Sequence, residues 1–145
     1  MARFSAVLLA LFAASAAVAA PLNQRAGLGS IQCNIDRFKI VTTLAATGSA
    51  VKKIDTTDPD TATAVTAAQA GLTSAGDGIK TIALALVTGG SPPADARDQV
   101  QKGLTDAQTA LTGITDPTVN ATLAAAQSKL AAAIQDGNDV VADCT

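Results

Sequence analysis

The chain has 145 residues, a formal net charge of −2 at pH 7 and 48% hydrophobic residues, enough for one modest core and too little for two. It has no His, Trp or Tyr, and its 12 acidic residues are all Asp, so the usual general bases, metal ligands and nucleophile activators are largely missing. Its 10 Lys and Arg residues are dispersed, with only Lys52 and Lys53 adjacent, which argues against a nucleic-acid partner.

Residues 1–20, MARFSAVLLALFAASAAVAA, place a lone Arg3 before an apolar run and small residues, the pattern of a secretory signal peptide. Cleavage is expected near residues 19–25, leaving a single helical domain over 26–145 that is secreted and extracellular, in contact with the cell wall. No later apolar run reaches the roughly 20 residues of a membrane span. The mature chain keeps two cysteines, Cys33 and Cys144. In an exported protein such an even pair reads as a disulfide, here tying the two ends together. Closing so long a loop stabilises a fold by up to about 4–5 kcal/mol on the chain-entropy account.

From Asp36 to Thr56, Phe38, Val41, Leu44, Ala45, Gly48, Val51 and Ile54 recur at three- and four-residue spacing, which predicts a first helix with that face inward. Asp58-Pro59 predicts the start of the second, with Asp58 as N-cap and Pro at the first helical position. Its inward stripe is Val65, Ala68, Leu72, Ala75, Ile79, Ile82, Ala83 and Leu86, and Gly89-Gly90 ends it. Ser91 is the expected cap of the third helix, with Pro92 at its first position and Val100, Leu104, Ala107, Leu111 and Ile114 inward. Asp116 caps the fourth, whose stripe is Val119, Leu123, Ala126, Leu130, Ile134, Val140 and Val141. Sustained period-two alternation is absent. The expected fold is therefore all-α: an up-down-up-down four-helix bundle, because short connections make successive helices antiparallel neighbours. In that topology both chain ends lie at one end of the bundle, where Cys33 and Cys144 can meet. Many inward Ala and Gly residues favour close helix packing over a large cavity.

Few side chains invite chemistry. Asp55, Asp58 and Asp60 lack the full ligand spacing of a calcium loop and read as helix-starting residues. Ser91 and Asp95 have no base beside them, and the glycines do not follow phosphate-loop spacing. Asn120-Ala121-Thr122 is an acceptor sequence for N-glycosylation, and Thr-rich stretches such as TTDPDTATAVT could take O-linked sugars. IKTIALALVTGG, from Ile79, is the most apolar stretch of the mature chain. It reads first as core, and second as a surface that adsorbs to apolar material.

Cys33, LAATGSAVKKI, GLTSAGDGIKTIALAL, PPADARDQVQKGL and the terminal NDVVADC together resemble the small secreted Ala-rich, two-cysteine proteins of mushroom-forming fungi. More distantly, the chain is similar to the fungal hydrophobic surface-binding and cell-wall galactomannoprotein families, although its cysteine bracket departs from the former. The resemblance implies secretion, wall or surface association and, in some members, lipid binding; it supplies no catalytic motif. The expected function is non-enzymatic and cofactor-free: binding cell wall, a hydrophobic surface or a partner at the fungal exterior. The alternatives are a small lipid carrier, or a secreted effector or immunomodulatory protein recognised by a receptor. A pocket of about 300 Å³ or more lined by Leu, Ile and Val would favour carriage.

Overall fold

The Thr-Asp-Pro sequences start helical structure as their chemistry dictates. In the computed structural model, which describes residues 31–144, Asp58 accepts a hydrogen bond from the Thr61 backbone N–H at 2.7 Å, and Pro59 opens the following helix. Asp116 accepts from the Thr118 N–H at 2.8 Å, and a short 3-10 turn, Pro117–Val119, precedes the next α-helix. The expected signal peptide, its expected cleavage site and residues 26–30 lie outside the described residues.

Four α-helices make up the described chain: α1 (Ile31–Val51), α2 (Pro59–Val87), α3 (Ala94–Thr112) and α4 (Asn120–Asp143). There is no strand among the described residues. Many exposed threonines, which would otherwise weaken a helix, turn their hydroxyls back onto the preceding turn, as in Thr66 to Ala62 O at 2.8 Å and Thr109 to Thr105 O at 3.0 Å. Helix α2 closes on Gly89, whose φ of 77° a residue with a side chain rarely adopts. The Gly90 N–H then reaches Ala85 O at 2.8 Å, and the Gly89 N–H reaches Leu86 O at 3.1 Å.

Four expected boundaries change. Helix α4 starts at Asn120 with Val119 at its cap position and no side-chain cap hydrogen bond, so Asp116 caps the preceding 3-10 turn rather than the α-helix itself. Helix α1 begins at Ile31 rather than Asp36 and ends at Val51 rather than Thr56, so it contains Cys33. Ser91 does not cap α3: the helix starts at Ala94, its cap position is Pro93, and no side-chain cap hydrogen bond forms there. The cause is Pro92-Pro93. A residue preceding proline is pushed out of the helical region, so Pro92 cannot be the first helical residue, and Ser91 is left in the connection.

Helix α2 packs most closely on α3 and α1 on α4, with lesser contacts between α1 and α2 and between α3 and α4. The backbones of α1 and α3, and of α2 and α4, do not approach one another. The α2–α3 contact is made through glycine. A Cβ built on Gly103 would sit 2.5 Å from Gly71 O, and one built on Gly78 would sit 2.8 Å from Ala96 O. Rising numbers along α2 therefore meet falling numbers along α3. On the other pair, Cys33 and Cys144 form a disulfide with an S–S distance of 2.02 Å and a Cα–Cα distance of 5.0 Å. Further along that pair, the Thr43 hydroxyl meets the Asp136 carboxylate. Gly137 lies against both Ile40 of α1 and Leu104 of α3, and Gly76 of α2 lies against Leu44. Within each close pair the helices are antiparallel, so the start of α1 lies beside the end of α4, here named the disulfide end, and the end of α2 lies beside the start of α3.

A core formed by all the helices includes Ile40, Val51, Val65, Leu72, Leu104, Leu111, Leu123 and Leu130. The inward stripes expected for α3 and for α4 as far as Leu130 are buried. Helix α1 departs from expectation. Its buried face is Cys33, Asp36, Ile40, Thr47 and Val51, while Phe38 and Val41 are exposed. Val51 and Ile54 are buried as expected and Leu44 packs against the core, but two polar residues sit in the true stripe, so a search for apolar spacing picks Phe38 and Val41 in the first half of the helix. Both are satisfied: the Thr47 hydroxyl donates to Thr43 O at 2.7 Å, and Asp36 accepts from Gln32 and Lys39.

Candidate functional site: the apolar disulfide end

Helix α1 presents two faces that compete for the core. Ile31, Ile35, Phe38 and Val41 follow one another at steps of four, three and three residues, which keeps them on one side of the helix. All four are exposed, Phe38 at 70%. Nearby, α2 is fully buried at Thr61, Val65, Ala68, Gly71, Leu72, Ala75 and Gly78, and at no residue beyond Gly78. The IALALV stretch therefore does not supply the deepest core. Ile82 and Leu86 are half-buried, while Leu84 is 67% and Val87 86% exposed. In the last turns of α4, Val141, expected inward, is also exposed.

Those seven residues are the large exposed hydrophobics among the described residues: four lie on the first three turns of α1, two in the last turn of α2 and one in the last turn of α4. The connections at the other ends of these helices, α1–α2 and α3–α4, have the reverse character. There, Asp58, Asp60, Asp116, Thr61, Gly113, Ile114, Thr115 and Pro117 line a polar depression of about 330 Å³. Both Thr-Asp-Pro sequences thus meet across it. A second hollow of about 470 Å³ is an open stretch of α2 surface walled by Ala62, Thr63, Thr66, Ala67 and Ala70. Neither has the Leu, Ile and Val wall that would favour lipid carriage.

Beneath the apolar end lies a polar seam between α1 and α4. Asp36 is fully buried and accepts from Gln32 Nε2 at 3.0 Å and from Lys39 Nζ at 2.9 Å. The Lys39 hydrogen bond is the largest influence holding the Asp36 carboxyl below its ordinary pKa, with burial opposing it, and the same contact raises Lys39. Asp143 is pushed up, chiefly by its hydrogen bond with Asp36 and then by burial and the Asp36 charge. The seam positions the ends of α1 and α4 beside the disulfide; its geometry offers no nucleophile.

The remaining candidates resolve into local structure. Asp55 accepts from the Thr57 N–H and hydroxyl at 2.7 and 2.5 Å, and Asp58 caps α2. No group of three or more potential metal ligands converges among the described residues. Ser91 and Asp95 are exposed beside the α2–α3 connection. Asn120 is exposed as the first residue of α4, far from the apolar end. No described helix is long and apolar enough to cross a membrane. Comparison with protein-family models, with curated proteins and with solved structures finds no match to the chain.

Proposed function

We propose that this is a secreted, non-catalytic protein that holds to apolar surfaces through the disulfide end of an up-down-up-down helical bundle. One observation carries the reading: the large exposed hydrophobics lie on the first turns of α1 and the last turns of α2 and α4, which the up-down-up-down topology gathers at one end, while the α1–α2 and α3–α4 connections at the other are acidic and polar. Scattered exposed apolar residues need no explanation, but their segregation to one end makes the molecule amphiphilic along its length. Fully burying one such side chain contributes about 1.5–3 kcal/mol, so a few acting together suffice for adsorption. The composition supports a non-enzymatic role, since it lacks His and Glu and both cysteines are in the disulfide. The resemblance to fungal secreted proteins suggests the setting: a wall, a hydrophobic solid or a lipid layer outside the cell.

The test is depletion of the purified mature chain from solution by alkyl-coated beads and by phosphatidylcholine vesicles. Depletion by the beads should persist in 1 M salt, because apolar contact is not screened, and detergent should reverse it. No depletion by either material would refute the reading. A stoichiometric lipid retained in native mass spectrometry would favour the carrier instead.

A further inference from the structure

Export, the part of the proposed reading on which this inference rests, carries the chain past the machinery that attaches N-linked sugars. We infer that Asn120 is a glycosylation site and that its oligosaccharide marks the end of the molecule opposite the apolar face. Asn120-Ala121-Thr122 has the required acceptor sequence. Asn120 is exposed between buried Val119 and a helix whose inward stripe starts at Leu123, so the amide faces away from the core. In the folded protein the Thr122 hydroxyl donates to Val119 O at 2.9 Å, and the site is already helical. Attachment therefore belongs to the unfolded chain. The order of synthesis permits this, since Cys144 follows Asn120 by the whole of α4 and the disulfide cannot close before it emerges.

In the transfer, Asn120 Nδ2 forms a bond to the anomeric carbon of an oligosaccharide carried on a lipid diphosphate. The bond from that carbon to the phosphate oxygen breaks, and its electron pair leaves with the lipid diphosphate. The amide proton passes to a base of the transferring enzyme. With a rise of 1.5 Å per residue along α4, the sugar sits about 30 Å from Val141. An oligosaccharide there adds a large hydrated group to the end that is already polar and leaves the apolar end uncovered.

The test expresses the full chain with its own leader in a yeast that secretes and glycosylates, followed by intact mass and peptide mapping of protein from the medium. The secreted chain should be heavier than its polypeptide, and peptide N-glycosidase should remove the excess while converting Asn120 to Asp. Thr122→Ser should keep the added mass, whereas Asn120→Gln and Thr122→Ala should lose it. Secreted wild-type protein with Asn120 unmodified overturns the inference. If the chain stays in the cells, export has failed, and repeating with the host's own leader separates the two. Sugar on Asn120 in that protein upholds the site, and its absence overturns it.

Discussion

Gly103 and Gly48 are both helical glycines, yet the structure gives them opposite roles. A Cβ on Gly103 would fall 2.5 Å from Gly71 O and 2.7 Å from Ala75 N, whereas one on Gly48 meets nothing within 4 Å. Replacing glycine by alanine within a helix gains about 0.8–1 kcal/mol of propensity, while forcing a methyl into a packed backbone contact costs about 1–3 kcal/mol or more. Thermal melting should therefore show Gly103→Ala destabilised by about 1–2 kcal/mol and Gly48→Ala stabilised by up to about 1 kcal/mol. Equal shifts would mean that α2 and α3 are not in glycine contact. Asp143 supplies a second test at this scale. Its folded-state pKa is raised, so the stability it contributes is fully present below the unfolded value of 3.8 and is lost as pH rises through the folded value. At neutral pH its charge faces that of Asp36 in the last turn of α4, where the helix dipole also disfavours an anion. Asp143→Asn should accordingly raise the melting midpoint at pH 7, and the gain should fade as the pH falls through the raised folded value and be absent below 3.8.

At the scale of elements, the helices form two close pairs held by different means. The α2–α3 pair is locked by glycine-mediated backbone approach, and α1–α4 by the disulfide, a polar seam and Ile40 against Gly137. Reduction should cost up to about 4–5 kcal/mol on the chain-entropy account. Amide exchange should then show the first turns of α1 and the last of α4 opening while α2 and α3 stay protected. Uniform loss of protection would contradict this division. Helix α3, and α2 as far as Ala75, were legible in the sequence because their inward residues there are almost all apolar or small, whereas the apolar run after Gly78 defines no single face and Ala83, expected inward, is exposed. Helix α1 was not, because Asp36 and Thr47 occupy its buried face while Ile31, Ile35, Phe38 and Val41 form a rival apolar stripe outside. The same ambiguity hid the candidate site. The one available signal was the spacing of Ile31, Ile35 and Phe38, which begins before the Asp36 start that apolar spacing suggested. Ser91 was misread as a cap because the second proline of Pro92-Pro93 outweighs the capping preference of a serine.

On the proposed reading the whole molecule is an amphiphile, with its apolar residues gathered at one end by the up-down-up-down topology and its helix-starting aspartates at the other. Internal cohesion does not require the exposed residues, so replacing one with a charge should change stability little while removing its share of any surface contact. Adsorption isotherms on alkyl-coated beads, for wild type, Phe38→Asp, Leu84→Asp and the distant exposed position Ala124→Asp, test the central claim most directly. The account predicts that the wild type and Ala124→Asp bind alike, while the substitutions on α1 and α2 each weaken binding about tenfold or more, the loss of one buried side chain. Equal binding by all four proteins, or weakening by Ala124→Asp alone, would contradict it.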